Sequence, residues 1–169
     1  MIIGILSDTH DQTARVQKAV ALFIARKVSF VIHCGDIVSP FTLKLYRDLR
    51  CPVKFLFGNN TGDIFLHLQY KEKHGFSEYE FGNFFSLTLE GKRIAAYHGD
   101  QPAITEALIK CGEYDCVCAG HDHRSRIERH GDTLFVNPGT LADMTGSAMT
   151  PPSVAIYNTH INEADIVLI

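Results

Sequence analysis

The chain has 169 residues, 46% of them hydrophobic and 21% charged, with a formal net charge of -3. That length suits one domain, residues 1–169, with a sizeable core, and that balance excludes a disordered chain and a basic surface for long nucleic acid. Five cysteines, odd in number and without a CxxC pair, point to a reduced, cytoplasmic protein rather than a disulfide framework.

The N-terminal run is apolar but lacks a basic flank and a cleavage site, so it predicts neither a signal peptide nor a membrane span. Ile2–Leu6 reads as a buried strand that ends at Ser7-Asp8-Thr9-His10. Asp11 is placed to cap a helix from Gln12, with Val16, Ala19, Val20, Phe23 and Ile24 at helical spacing. Phe30–His33 is a second strand, ending at Cys34-Gly35-Asp36. Pro40 can open a helix whose apolar side is Leu43, Leu45, Tyr46 and Leu49. Val53–Phe57 is a third strand, ending at Gly58-Asn59-Asn60. This βαβαβ rhythm implies parallel strands with right-handed crossovers.

The pattern then changes. Ile64–His74 reads as a short helix or a lid-like segment, and the chain alternates from Ser77 to Tyr97. Phe85–Leu89 and Arg93–Tyr97 form a hairpin about Glu90-Gly91-Lys92. His98 follows directly, then a helix over Ile104–Lys110 and a strand over Asp115–Ala119 that ends at Gly120-His121-Asp122-His123. Cys116 and Cys118 alternate as buried thiols on one face of that strand. Arg124–Arg129 and Thr133–Val136 flank a turn at Gly131-Asp132, Asn137-Pro138-Gly139-Thr140 is a further turn, and Val154–Asn158 and Asp165–Ile169 are late antiparallel strands. The whole is an α/β chain with mixed sheets.

Asp8, His10, Asp36, Asn59, His98, His121 and His123 thus stand just after apolar runs. Strand ends of one direction gather at one edge of a sheet, the usual ligand edge. Asp, His and Asn are ligands for divalent metals, and glycines 35, 58, 99 and 120 adjoin them where backbone must approach closely. An isolated Asp here would be a cap and an isolated Asn a turn residue. Together the set points to a two-metal site and to phosphate-ester hydrolysis. His33 reads as a satisfied buried histidine, and His67, His74, His130 and His160 as surface residues.

The series Asp-x-His, Gly-Asp, Gly-Asn, His, Gly-His-x-His resembles the calcineurin-like metallophosphoesterases, and with Asn137 to Thr140 it resembles their small bacterial and archaeal phosphodiesterase branch. The resemblance implies a single-domain αββα sandwich of two mixed sheets flanked by helices. It implies two divalent ions, manganese first, with nickel, iron or zinc as alternatives. Asp8, His10 and His123 would hold one ion, Asn59, His98 and His121 the other, and Asp36 would bridge them. The implied activity is hydrolysis of a small phosphodiester or nucleotide-like substrate by in-line attack of a hydroxide shared by the ions, with Asp36, Asn59, Asn60 and His98 as the catalytic candidates. The alternative is a non-catalytic, retromer-subunit-like scaffold, which loss of a ligand would favour. No membrane partner is expected. A homodimer is plausible on general grounds, with Phe41, Phe65 and Phe76 as candidate contacts, although core packing is the commoner fate of a lone phenylalanine.

Three positions depart from the superfamily pattern. Asn60 and Thr61 stand where a His and an acidic residue are usual, and neither is an effective general acid near neutral pH. Asn60 could bond a phosphate oxygen, and Asp63 could substitute for the missing acid. Asp100 stands where a second His is common. It could meet substrate, orient His98, or cap the helix near Pro102. Specificity is expected in the loops Thr61–Phe76 and Ala142–Pro152.

Overall fold

The computed structural model describes residues 1–142 and 151–169, so most of the expected specificity loop Ala142–Pro152 lies outside the described residues. In chain order come β1 (Ile2–Leu6), α1 (Thr13–Ala25), β2 (Phe30–His33), a run of 3₁₀ turns over Pro40–Leu49, β3 (Val53–Leu56), α2 (Ile64–His74) and β4 (Tyr79–Gly82). Then come β5 (Phe84–Leu89), β6 (Lys92–Tyr97), α3 (Pro102–Lys110), β7 (Cys116–Cys118), β8 (Arg126–His130), β9 (Thr133–Asn137), β10 (Ser153–Asn158) and β11 (Glu163–Leu168).

The strands form two sheets, ordered β11-β10-β1-β2-β3-β4 and β5-β6-β7-β9-β8. Strands β1 to β4 are parallel, as are β6, β7 and β9, while β10, β11, β5 and β8 pair antiparallel. Each sheet is therefore mixed. Facing side chains of the two sheets, among them Ile3, Ile5, Ile32, Leu56, Ile94, Cys116, Cys118 and Val136, fill a middle layer. The outer face of the first sheet packs Val31, Val53 and Phe55 against Val16, Val20 and Phe23 of α1 and Leu43 and Tyr46 of the 3₁₀ run. The outer face of the second sheet packs Ala95, Val117 and Phe135 against Leu108 and Ile109 of α3. The result is helix, sheet, sheet, helix. Period-two strands buried on both faces alternate between the middle and outer layers, which is why their sequences read as unbroken apolar runs.

Register levels the strand ends that matter. Leu6 pairs with His33 and His33 with Phe55, while Ala96 pairs with Cys118 and Cys118 with Val136. The loops after β1, β2, β3, β6 and β7 therefore open side by side.

Several sequence expectations need correction. Asp11 does not cap α1. The residue at the cap is Gln12, and the Asp11 carboxylate instead accepts from the Ser39 N–H at 3.0 Å. Strand β4 was not anticipated, because residues 77–97 read as one alternating tract, yet Tyr79–Gly82 adds to β3 in parallel before the chain crosses to the second sheet. The segment Ile64–His74 is a helix, capped by the Asp63 carboxylate at the Leu66 N–H (2.9 Å). His67 is fully buried beneath Phe57 and Phe81 instead of lying on the surface. Phe76 is a core residue stacked on Tyr79, whereas Phe41 and Phe65 are 55% and 67% exposed.

Candidate metal centre

Five loops bring the seven expected residues together. His123 Nε2 lies 3.2 Å from Asp8 Oδ1, and His10 Nε2 lies 3.9 Å from that same oxygen. His10 Nε2 is also 3.4 Å from Asp36 Oδ2. On the other side of Asp36, Oδ1 is 3.5 Å from His98 Nε2. Asn59 Oδ1 then sits 2.8 Å from His98 Nε2 and 2.9 Å from His121 Nδ1. The donor atoms fall into two groups, Asp8-His10-His123 and Asn59-His98-His121, with Asp36 between them.

Two observations show that these atoms suit cations. His10 Nε2 is buried without a hydrogen bond, 3.9 Å from the buried Asp8 Oδ1. A buried polar atom so placed costs stability unless something else satisfies it. His98 makes the second case. Its Nδ1 lies 2.7 Å from the Cys34 carbonyl, which can only accept, so the ring proton is on Nδ1. In the neutral ring Nε2 is then a lone pair facing Asn59 Oδ1, an acceptor against an acceptor, which a shared cation would resolve.

The backbone is held in sparsely populated conformations to reach this arrangement. Asp8, His10, Asp36, His121 and His123 all have positive φ, between 38° and 69°. Such strain clusters where the surrounding structure over-determines a site. Backbone bonds tie the first two loops together, from Asp8 N–H to the Gly35 carbonyl (2.9 Å) and from His10 N–H to the Asp36 carbonyl (3.1 Å). Gly120 is needed because a Cβ there would lie 1.9 Å from Ser7 Oγ and 2.6 Å from Asp8 Oδ2.

Electrostatics follow from the same contacts. Burial opposes ionisation of Asp8, but the His123 and Ser7 side chains and the nearby imidazoles outweigh it and hold the carboxyl below its ordinary range. The bond to Asp8 raises the pKa of His123 in turn, against its own desolvation. His33 is the buried, satisfied histidine expected. Its Nε2 meets Thr9 Oγ1 at 3.1 Å, its Nδ1 accepts from Gly35 N–H at 3.2 Å, and desolvation lowers its pKa to about 3.

The Asn-Pro-Gly-Thr turn, read from sequence only as a family mark, braces the site. Asn137 Nδ2 donates to the Gly120 carbonyl (3.1 Å) and to Asp122 Oδ1 (2.8 Å), which fixes the loop carrying His121 and His123. Thr140 Oγ1 donates to the Asp8 carbonyl (2.9 Å). The three readings of Asp100 narrow as well. His98 is oriented by Cys34, the residue at the α3 cap is Gln101, and Asp100 lies against the Tyr97 side chain and raises its pKa, behind the larger effect of desolvation.

Among the described residues, no helix is long and apolar enough to cross a membrane. A model of the calcineurin-like phosphoesterase superfamily domain matches residues 1–162. The chain is 35% identical to Phosphodiesterase MJ0936 of Methanocaldococcus jannaschii over 165 residues, 96% of each chain. The solved structure of an archaeal phosphodiesterase superposes with a TM-score of 0.90 at 32% identity, covering 100% of both chains. Vacuolar Protein Sorting 29 of Cryptosporidium parvum superposes with a TM-score of 0.69 at 19% identity, covering 98% of this chain and 95% of that one, a likeness of fold alone.

Proposed function

The chain belongs to the calcineurin-like phosphoesterase superfamily, and from that premise we propose that it is a phosphodiesterase dependent on two divalent ions. The observation that carries this reading is the convergence of His10 and His123 on Asp8 and of His98 and His121 on Asn59, with the Asp36 carboxylate within 3.5 Å of both His10 and His98. Asp8, His10 and His123 would hold one ion, Asn59, His98 and His121 the other, and Asp36 would be shared. The histidines favour Mn, Fe, Ni or Zn over Mg, with Mn first. Bound there, the ions would lower the pKa of a water and neutralise charge on the phosphate oxygens.

The chain's own side chains set the limits of the chemistry. Asn60 is neutral, and the Thr61 hydroxyl is occupied by the Gly58 N–H (2.8 Å) and carbonyl (3.1 Å). Neither can protonate a leaving group near neutral pH. Diesters and aryl phosphates with good leaving groups are therefore the preferred substrates, and alkyl phosphomonoesters poor ones. The scaffold reading calls for a lost ligand, and all seven candidates are present and converge.

Stripping the metal and restoring Mn, Ni, Zn or Mg separately tests the reading with bis-p-nitrophenyl phosphate, p-nitrophenyl phosphate, an alkyl phosphomonoester and 2′,3′-cyclic nucleotides. Mn should restore turnover of the aryl diester most fully. Silence with every metal would leave only the scaffold, and equal turnover of the alkyl monoester would sink the leaving-group argument. Cytoplasmic residence is supported by five cysteines that are all free, with Cys116 and Cys118 sulfurs 3.7 Å apart and unbridged. If two copies pair, the surface suited to it is the apolar patch of Phe41, Ile64, Phe65 and Leu68.

A further inference from the structure

We propose that Asn60 is a positioning residue for Asp36. This rests on the reading of Asp36 as a carboxylate shared by two ions. Asn60 grips both oxygens of that carboxylate. Its backbone N–H donates to Oδ1 at 2.8 Å and its side-chain Nδ2 donates to Oδ2 at 2.9 Å. The opposite sides of the same oxygens face the two half-sites, Oδ2 toward His10 and Oδ1 toward His98. One residue therefore holds both oxygens of the carboxylate that the two half-sites approach.

The loop is built to bring Asn60 there. Gly58 lies so close that a Cβ would be 2.0 Å from Asp36 Oδ1 and 2.7 Å from the Asp36 nitrogen. The loops after β2 and β3 are zipped together by a bridge between Val38 and Thr61 and by a Gly62 N–H bond to the Val38 carbonyl at 3.1 Å. Thr61 Oγ1 closes the turn on Gly58. Asp36 has a φ of 60°, so its backbone is not in a resting conformation, and a second anchor on the carboxylate is what holds the side chain in register. An Asn suits this position because it supplies an N–H at neutral pH without a charge that could titrate. One N–H of the amide is given to Asp36, so Asn60 acts on the ions' ligand.

The test is Mn²⁺ binding to metal-free protein, by calorimetry and by the spin-coupled electron-resonance signal of a manganese pair, on the parent, Asn60→Ala, Asn60→Asp and Asp36→Asn. Asn60→Ala should weaken Mn²⁺ binding on the order of 10- to 100-fold and reduce the coupled signal. Asn60→Asp, isosteric but without the side-chain N–H, should reduce the coupled signal as well, because Asp36 loses its anchor at Oδ2. The dependence of turnover on leaving-group pKa should be the same in Asn60→Ala as in the parent. Circular dichroism of the three variants separates lost binding from lost fold, and Asn60→Asp carries the test if Asn60→Ala does not fold. Parental Mn²⁺ binding in both Asn60 variants overturns the proposal, whatever their activity. A steeper leaving-group dependence with intact binding would hand Asn60 to the substrate instead. Parental two-ion binding in Asp36→Asn defeats the shared-carboxylate reading itself, a different result from any that concerns Asn60.

Discussion

At the scale of single residues, His33 shows how a histidine beside a candidate metal centre can be structural. It is fully buried, bonded to Thr9 and Gly35, and its pKa falls from 6.5 to about 3, chiefly by desolvation. The unfolded chain takes up a proton below about pH 6.5 and the folded protein refuses it until about pH 3. Stability carried by the neutral ring is therefore whole above pH 6.5 and drains away as pH falls through that window. Urea unfolding of the metal-free protein between about pH 6 and 4 should show this drain, and His33→Gln should flatten its slope by about 1.4 kcal/mol per pH unit. An unchanged slope would mean that the ring protonates in the folded protein. The contrast with His67 is instructive. Both are buried, but His33 sits in an apolar run that announces burial, while His67 lies in a polar-looking helix whose inward face only the packing against Phe57 and Phe81 reveals.

At the scale of elements, sequence pattern located the strands and hairpins well, because a strand buried on both faces must be apolar throughout and a tight turn must carry residues that accept positive φ. The β5–β6 turn at Glu90-Gly91, with φ of 49° and 78°, is such a case. Pattern failed at β4, a four-residue strand at the edge of its sheet with only Tyr79 buried, where little burial leaves little periodicity. It marked the inward side of the 3₁₀ run at Leu43, Tyr46 and Leu49, but left open which aromatic residues around α2 face inward. Phe76 stacks into the core, yet Phe41 and Phe65 project outward, with Phe41 packed edge-on to Tyr70 at 5.4 Å. If this patch is the dimer surface, sedimentation velocity should give a dimer for the parent and a monomer for Phe65→Lys, with Mn²⁺ binding unchanged. A parent that sediments as a monomer at high concentration removes the dimer.

At the scale of the whole molecule, the candidate metal centre is a seam. Each sheet contributes loops to it, the first carrying Asp8, His10, Asp36 and Asn59 and the second His98, His121 and His123. Ions bound there would tie the two layers together at one edge, and the unfolded chain has no comparable site. By mass action, Mn²⁺ at a thousandfold excess over its dissociation constant should add about 4 kcal/mol, a rise in Tm on the order of 10 °C, which chelation abolishes. An identical Tm with and without Mn²⁺ would argue that the ions do not bridge the sheets.

The sequence by itself determined which residues could be ligands and that they follow buried strands, because both facts are local: donor chemistry belongs to the side chain, and apolar runs between turn residues belong to the segment. Family resemblance extended this to the layered fold, and the two sheets and the archaeal phosphodiesterase superposed at a TM-score of 0.90 bear it out. Only the tertiary structure decided how the ligands are held. The Cys34 carbonyl that sets the His98 tautomer is 64 residues away from it in the chain, the Thr140 hydroxyl on the Asp8 carbonyl is 132 residues away, and Asn60 reaches back 24 residues to Asp36. Such contacts leave no periodic trace, because a hydrogen bond between two loops depends on where the sheets bring those loops and not on what lies beside either residue.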